Sequence, residues 1–433
     1  MKFANIDLFY YNNYIPGNSH YWNFGDQIQL IAIEELYKKM GISLEDLVLI
    51  PSGSLNSYTK ENVILPLNIC MQKSKGLDYS WLSQNIFPVF LGINLQTPYL
   101  TKTMVEFFKQ YQPIGCRDEW TYNVLQSYKI ESYLNGCITA TIFPTRTKLN
   151  TYNKIFLIDI PNSLREFIPN EISDNAIETT NNFFGNIEDI VPDLDVRNYV
   201  MQKYSVLRDS ARLVVTSRLH VAAPCASMGI PVIIVKNNLP NTFSWIDRIV
   251  PTYDKQQFSS IDWNPIPINY EQNKNNILNI AKNKLSGNII SISEMENVTN
   301  FYLSHSTNQS NKNRTLFQDF TEFLSNTWTK KTNLNYAIWG ITDIAESLYY
   351  YLCENYPYVK LKNVYDKYNK ITFHGICSKS PSTITLLDDV FIFVCTSQAK
   401  VEAKEIFTRI NKSSDSFFMP GFMDEKYNKH ICE

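Results

Sequence analysis

No stretch of this chain reaches the roughly 18 consecutive apolar residues that would cross a bilayer. The N-terminus, MKFANIDLFYYNN, turns polar too early for the apolar core of a secretory signal. Both absences predict a cytoplasmic protein, one that could still touch a membrane-linked partner peripherally. Excess positive charge is missing as well: 40 Lys and Arg stand against 42 Asp and Glu, a formal net charge of −2. A nucleic-acid backbone finds no basic counterpart here, which argues against polymeric phosphate as a partner. Net charge says nothing about local clusters, so a small basic site for a single phosphate stays open. Eight cysteines are scattered at Cys70, Cys116, Cys137, Cys225, Cys353, Cys377, Cys395 and Cys432, and no pair has C-x-x-C spacing. That pattern argues against a zinc site or disulfide frame and predicts reduced, buried thiols. Short-period repeats are absent too, which excludes a solenoid.

What is present is an ordinary globular composition, 44% hydrophobic and 19% charged, in a chain too long for one core. At roughly 100–200 residues per domain, 433 residues make two or three. Aromatic residues reach 14%. Sugar-handling clefts use such faces, although a bias toward Tyr and Asn explains the figure more simply. Strand-like and helix-like runs alternate from the start: Ile6–Tyr10, then NFGDQIQLIAIEELYKKMGI, where Ile28, Ile31, Ala32, Leu36 and Met40 keep helical spacing and Gly41 suits the helix end. VLIPSGS, IFPVFLGIN and PIGCRD read as strands, TMVEFFKQYQ and EWTYNVLQSYKI as helices. A second series runs through NKIFLIDIP, DVRNYVMQKYSVLRDSA, RLVVTS, RLHVAAPCASMG and IPVIIV. Such β-α-β alternation predicts α/β domains with parallel sheets. The expected layout is a Rossmann-like half over 1–148, a second over 149–302, a linker and helix over 303–332, and a small Rossmann-like domain over 333–433.

The sharpest segment is VVTSRLHVAAPCASMGIPVIIV, residues 214–235. A buried strand runs out at Thr216 and Ser217, Arg218 and His220 occupy the turn into a helix, and Gly229-Ile230-Pro231 leads to the next strand. Ligands bind at the carboxyl ends of strands in open α/β sheets. The helix N-terminus there favours an anion. Arg218 can grip phosphate or carboxylate with two parallel hydrogen bonds, or pair structurally with an acid. His220 can exchange a proton, or simply cap and pack.

Three segments in order resemble the polysaccharide pyruvyl transferase family: NFGDQIQLIAIEEL (23–36) its N-x-G-D motif, PIGCRDEWTYNVLQSYKIESYLNGCITATI (113–142) its C-R-D block with the later G-C-x-T, and VVTSRLHVAAPCASMGIPVI its S-R-L-H segment. The resemblance covers roughly 1–300 in pieces. It implies two Rossmann-like halves in a GT-B-like arrangement and transfer of pyruvate, as a ketal, from phosphoenolpyruvate to a sugar of a glycan. It implies that Arg218 binds phosphoenolpyruvate and that His220 acts as general acid or further donor, with Ser217 beside them. Phosphoenolpyruvate is a substrate in that scheme. No cofactor or metal is called for, and no ligand cluster is visible.

The reaction needs an acid, cations for phosphate and carboxylate, and an oriented diol. Asn23, Gly25, Asp26 and Gln27 lie on the first strand-to-helix loop. Asp26 either caps the helix or accepts the hydrogen of an acceptor hydroxyl, and Gly25 allows close backbone approach. Arg117 either turns a second positive charge toward the ligand or pairs structurally. Gly136 shapes a turn beside Asn135 and Thr139, and Cys137 reads as buried packing.

The last domain opens AIWGITDIAESL, a glycine turn without G-x-G-x-x-G; Thr342 stands where a second glycine would sit and would crowd a pyrophosphate. Asp366 lies where a ribose-binding acid would be, but a docking or scaffold role is the simpler expectation. Two rival functions remain at this level: a GT-B glycosyltransferase using a nucleotide sugar, weakened because the i, i+8 acids Glu346 and Glu354 lie in the last domain rather than the second half, and a non-catalytic glycan-binding relative. The acceptor sugar and the oligomeric state are not legible.

Overall fold

A computed structural model describes residues 1–7, 21–68, 82–95, 99–146, 152–184, 196–237, 239–305, 316–328, 334–367, 371–386, 389–396 and 399–420. The described residues fall into two compact units. One draws on Met1–Met71, Trp81–Asn94 and Phe107–Ser310, the other on Gln72–Ser80, Leu95–Glu106 and Asn311–Glu433. Both are α/β with parallel sheets.

In the larger unit the strands are β1 (Lys2–Asp7), β2 (Tyr21–Asn23), β3 (Val48–Pro51), β4 (Val63–Leu67), β5 (Ile86–Phe90), β6 (Ile114–Cys116), β7 (Ser132–Leu134), β8 (Lys154–Ile158), β9 (Ala176–Thr179), β10 (Asn182–Phe184), β11 (Ala211–Thr216), β12 (Val232–Lys236) and β13 (Thr252–Asp254). Its helices of eight or more residues, with one that straddles the two units, are α1 (Phe24–Lys39), α2 (Lys102–Gln110), α3 (Glu119–Ser127), α4 (Val196–Ser210), α5 (Leu219–Ser227), α6 (Glu271–Leu285) and α7 (Ile292–Ser304).

The first sheet runs β3-β1-β4-β5, all parallel. A bridge from Ile93 to Cys116 continues the pairing to β6, which pairs parallel with β7. The second sheet runs β13-β12-β11-β8-β9, again all parallel. Its order reverses between β8 and β11, because the chain builds one edge through β9 and the other through β12 and β13.

Helix α1 forms where the periodicity predicts it. Asn23 accepts from the Gly25 N–H, Ile28, Ile31, Ala32 and Leu36 are buried, and Lys38 and Lys39 complement the C-terminal end of the dipole. Its apolar face enters one continuous core with Val214, Val221, Val232, Ile234, Ile277 and Val298 from the second series. Both sheets therefore share a single hydrophobic interior.

They are also stitched at the backbone. Strand β2 pairs antiparallel with β10, Asn23 opposite Asn182, and Phe24 N–H donates to the Asn181 carbonyl at 3.1 Å. Arg197 on α4 binds Glu34 and Glu35 of α1, the former at 2.6 Å. These three-residue strands carry no readable period, and nothing in the sequence announces their pairing.

The smaller unit has β14 (Asn335–Trp339), β15 (Lys360–Tyr365), the hairpin β16 (Thr372–Phe373) and β17 (Ile376–Cys377), β18 (Phe391–Val394) and β19 (Phe417–Phe418). Its helices are α8 (Leu316–Thr327), α9 (Asp343–Asn355) and α10 (Lys400–Arg409). The main sheet runs β15-β14-β18-β19 in parallel.

At its reversal point, between β14 and β18, the loops close on each other. A Cβ on Gly340 would collide with the Thr396 side chain, and Thr342 caps α9 while donating to the Cys395 carbonyl at 2.9 Å. Asp366 accepts from Ile341 N–H at 3.0 Å. Glu346 bonds His374 at 2.8 Å, and Glu354 accepts from the Tyr99 hydroxyl.

Several expectations shift. The first strand spans Lys2–Asp7, and residues 8–10 lie outside the described residues. Leu303 and Ser304, expected in a linker, still belong to α7, while 306–315 and the 148/149 boundary lie outside the described residues. Cys116, Cys137, Cys225 and Cys395 are free and buried, but Cys353 on α9 and Cys377 in the hairpin are free and exposed; Cys70 and Cys432 lie outside the described residues. Among the described residues no helix is long and apolar enough to cross a membrane.

Gly136 shows how tightly the shared core closes. Its φ is +66°, and an added Cβ would meet the Tyr302 hydroxyl and lie 2.8 Å from the Trp245 ring. Gly136→Ala should destabilise the protein by roughly 2–4 kcal/mol, from left-handed strain plus overpacking. A denaturant midpoint unchanged from the parent protein would contradict this reading.

Candidate functional site

The second sheet reverses direction between β8 and β11, and their carboxyl ends are where such a sheet receives ligands. Asp159 follows β8 and adopts a left-handed conformation with φ +50°. Its carbonyl accepts from Ser217 Oγ at 2.6 Å, and its Oδ2 accepts from Arg218 Nε at 2.9 Å and from Asn181 N–H at 2.9 Å. Arg218 follows β11 and occupies the N-cap position of α5, with its own N–H bonded to Thr216 Oγ1 at 3.0 Å. The structural pairing that the sequence leaves open for Arg218 thus exists, through Nε. Its two terminal nitrogens make no hydrogen bond among the described residues, and a third of the side chain stays exposed. One edge of the guanidinium is fixed and the other is presented.

Against the expectation of a loop, Gly25, Asp26 and Gln27 lie in the first turn of α1, directly after Asn23 at the end of β2. Asn23 caps α1, a role the sequence had offered to Asp26. Asp26 instead sits one turn in, where its carboxylate accepts from Asn23 Nδ2 at 3.0 Å and from Gln29 Nε2 at 3.5 Å, its charge favoured by the helix N-terminus. Gln29 is buried, bonds the Gly25 carbonyl at 3.3 Å, and leaves Oε1 without a partner among the described residues. Gln27 is half-buried. A Cβ on Gly25 would lie 2.9 Å from Asn23 Oδ1 and 3.1 Å from His220 Nδ1. Glycine is what lets the first motif's backbone reach the imidazole of the third.

His220 is partly accessible as a residue, but its Nε2 is sealed and has no hydrogen-bond partner among the described residues. Burial first, and then the positive charge of Arg117, push its pKa down to about 3. The imidazole is therefore neutral near pH 7, unlike an ordinary histidine poised close to neutrality. Its carbonyl accepts from the buried Tyr204 hydroxyl at 2.7 Å.

Arg117 is itself buried, at 4% exposure. Its Nη2 donates to the Asn68 carbonyl at 2.8 Å and its Nε to the Gly92 carbonyl at 3.2 Å, and no carboxylate pairs with it among the described residues. Its neighbour Asp118 turns away to cap α3, accepting from Thr121 N–H at 2.8 Å. Burial raises the Asp118 carboxyl to about 7.

The structure thus gathers Asn23, Gly25, Asp26, Asp159, Ser217, Arg218 and His220, with Arg117 acting on His220 through its field. Gly136 is enclosed by Trp245 and Tyr302, and its carbonyl lies 2.8 Å from where a Cβ on Gly92 would stand. Cys137 is buried, its sulfur accepting from Thr139 Oγ1 at 3.1 Å and Asn68 Nδ2 at 3.4 Å. Asp159, Asn181 and Tyr204 are absent from the sequence-derived set. Asp159 alone carried a signal, since it is the acid that ends the run NKIFLIDIP.

Comparison with known proteins bears on this constellation. Residues 23–238 match the model of the polysaccharide pyruvyl transferase family. That span includes the segments from Asn23 through Arg218 and His220. No curated protein matches the chain. A solved structure of a functionally uncharacterized protein from Klebsiella pneumoniae is 16% identical, covers 52% of this chain and 84% of that one, and gives a TM-score of 0.33.

The His220 shift has a stability consequence. Its folded pKa lies below the ordinary 6.5, so between about pH 3 and 6.5 the unfolded chain binds more protons than the folded one. Stability from this group is intact above pH 6.5 and is lost as pH falls through that window. His220→Gln should flatten the decline in thermal midpoint between pH 6.5 and 4. An equally steep decline in the variant would show that His220 is not buried as a neutral ring.

Proposed function

Residues 23–238 form a polysaccharide pyruvyl transferase family domain, and from that premise we propose that this protein transfers pyruvate, as a ketal, from phosphoenolpyruvate to a sugar of a glycan, releasing phosphate. The two sheets of the larger unit are read as the two halves of a GT-B-like plan. The first carries the acceptor side and the second the donor side. The observation that supports this best is the close approach of Gly25 to His220 at a sheet reversal where Arg218 offers one edge of its guanidinium.

In this reading Arg218 grips the donor phosphate or carboxylate through its two terminal nitrogens, with Ser217 beside it. Arg117 supplies a second positive charge from a buried position, where charge acts through a low dielectric. Asn23 and Gln29 hold the Asp26 carboxylate, which orients an acceptor hydroxyl. Gln27 belongs to the same substrate-facing set, whereas Gly136, enclosed by Trp245 and Tyr302, acts by shaping the core beneath it.

Phosphoenolpyruvate gains a proton at its methylene carbon, and the ketal carbon becomes oxocarbenium-like. One sugar hydroxyl bonds to that carbon, the C–O bond to phosphate breaks, and a neighbouring hydroxyl closes the ring. The diol gives up two protons; on balance one ends on the new methyl group and the other on phosphate. The protein supplies position and electrostatics at each stage.

His220 cannot begin as the acid, because it is neutral in the free protein. A bound donor carrying both phosphate and carboxylate puts negative charge beside the buried ring, which opposes first the burial cost of the imidazolium and then the Arg117 charge, and raises the imidazole pKa. His220 then takes up a proton on donor binding and is charged when the carbon needs it. Phosphoenolpyruvate binding should therefore be accompanied by proton uptake near pH 7, measurable by titration calorimetry in buffers of different ionisation enthalpy.

The test is incubation of glycan acceptors with enzyme and phosphoenolpyruvate. A product about 70 Da heavier, with equimolar phosphate, is expected. Arg218→Ala and His220→Ala should each lower kcat/KM by at least about 100-fold. Consumption of a nucleotide sugar, with phosphoenolpyruvate untouched, would overturn the proposal.

A further inference from the structure

Strand β12 lies beside β11, with Val214 opposite Val232 and Thr216 opposite Ile234. Carrying that register two residues on sets position 218 opposite position 236. Val232 and Ile234 belong to the core that α1 and α5 enter, whereas Ile233 and Val235 belong to the cluster on the other face. Lys236 continues the alternation of Val232 and Ile234, so it shares their face. Its ammonium lies 5.7 Å from the centroid of the Phe243 ring, a residue of that same core. The side chain is half-buried at the carboxyl end of β12, the neighbour of β11, whose end leads into Arg218.

Two cations at one edge need an anion. Lys236 forms no ion pair or hydrogen bond among the described residues. The Asp159 carboxylate is engaged by Arg218 and Asn181. Asp254, the register partner of Lys236 on β13, uses its carboxylate to accept from Gln256 N–H at 2.9 Å. Burial, and then the like charge of Arg218, hold the Lys236 ammonium below the ordinary lysine range. A half-buried ammonium beside a guanidinium is costly unless something negative lies between them.

We propose that Lys236 is a further anion-binding residue of the donor site, acting with Arg218 on a phosphate dianion at the carboxyl ends of β11 and β12. The identification of that phosphate with phosphoenolpyruvate rests on the function proposed above. Arg218 supplies the planar fork and Lys236 a point charge. The donor carboxylate is then left to Arg117.

The test uses the full chain with inorganic phosphate and with phosphoenolpyruvate as separate probes, for the parent protein, Lys236→Met and Lys236→Arg. Lys236→Met should weaken both ligands by about tenfold or more while the thermal midpoint of the free protein does not fall, and Lys236→Arg should restore most of the loss. Phosphate binding that is equal in parent and Lys236→Met overturns this inference and leaves the transferase reading standing. Lys236-dependent phosphate binding without any binding of phosphoenolpyruvate supports the anion site and removes the transferase reading. A parent protein that binds neither probe overturns both.

Discussion

The carboxylate of Asp159 is the point through which the rest of the site is connected. On one side it fixes Arg218 Nε, and on the other it receives Asn181 N–H. Asn181 in turn accepts from Phe24, the residue that opens α1 directly after Asn23. One acid thus joins the reversal point of the second sheet to the strand end and first helical turn that bear the N-x-G-D motif. Its left-handed backbone is an uncommon state for a residue other than glycine, held by Ser217 bonding the carbonyl and by Asp159 N–H bonding Thr179. Asp159 needs no part in the chemistry to be decisive, because it determines which edge of the guanidinium is offered.

Charge is distributed around that point with few acids to balance it. Arg117 is buried on carbonyl oxygens, which are dipoles and leave its net charge uncompensated. Its field helps keep His220 neutral. Arg218 and Arg117 are held by their hydrogen bonds, and negative charge brought beside the ring would raise the His220 pKa.

The three motifs were legible because they sit at strand ends, where sequence runs short of apolar residues abruptly and polar groups stand out. Helix α1 and strands β8, β11 and β12 followed from periodicity and from continuous apolar runs. Much else was not readable. β2 and β10 are three residues each and pair across 159 positions of sequence, Asn23 to Asn182, with no local signal. Helices α6 and α7 are Asn-, Lys- and Glu-rich, and their burial comes from contacts that only the folded chain reveals. The neutrality of His220 was invisible for the same reason: a pKa belongs to an environment, and the environment is assembled from three distant segments. In the smaller unit the sequence showed Thr342 where a second glycine would sit, and the structure places that side chain at the cap of α9, donating to the Cys395 carbonyl, with Thr396 against Gly340.

The interior shared by the two sheets has a consequence for how such a protein can diversify. Residues of α1 pack on α5 and share one core with those of β11 and β12, so neither sheet owns a complete set of apolar neighbours. Recombination that exchanged one half for that of a distant relative would have to match dozens of side chains at the seam as well as the reactive groups. Variation is therefore more accessible in surface loops than through exchange of one sheet for another, and the paired sheets are inherited as one piece.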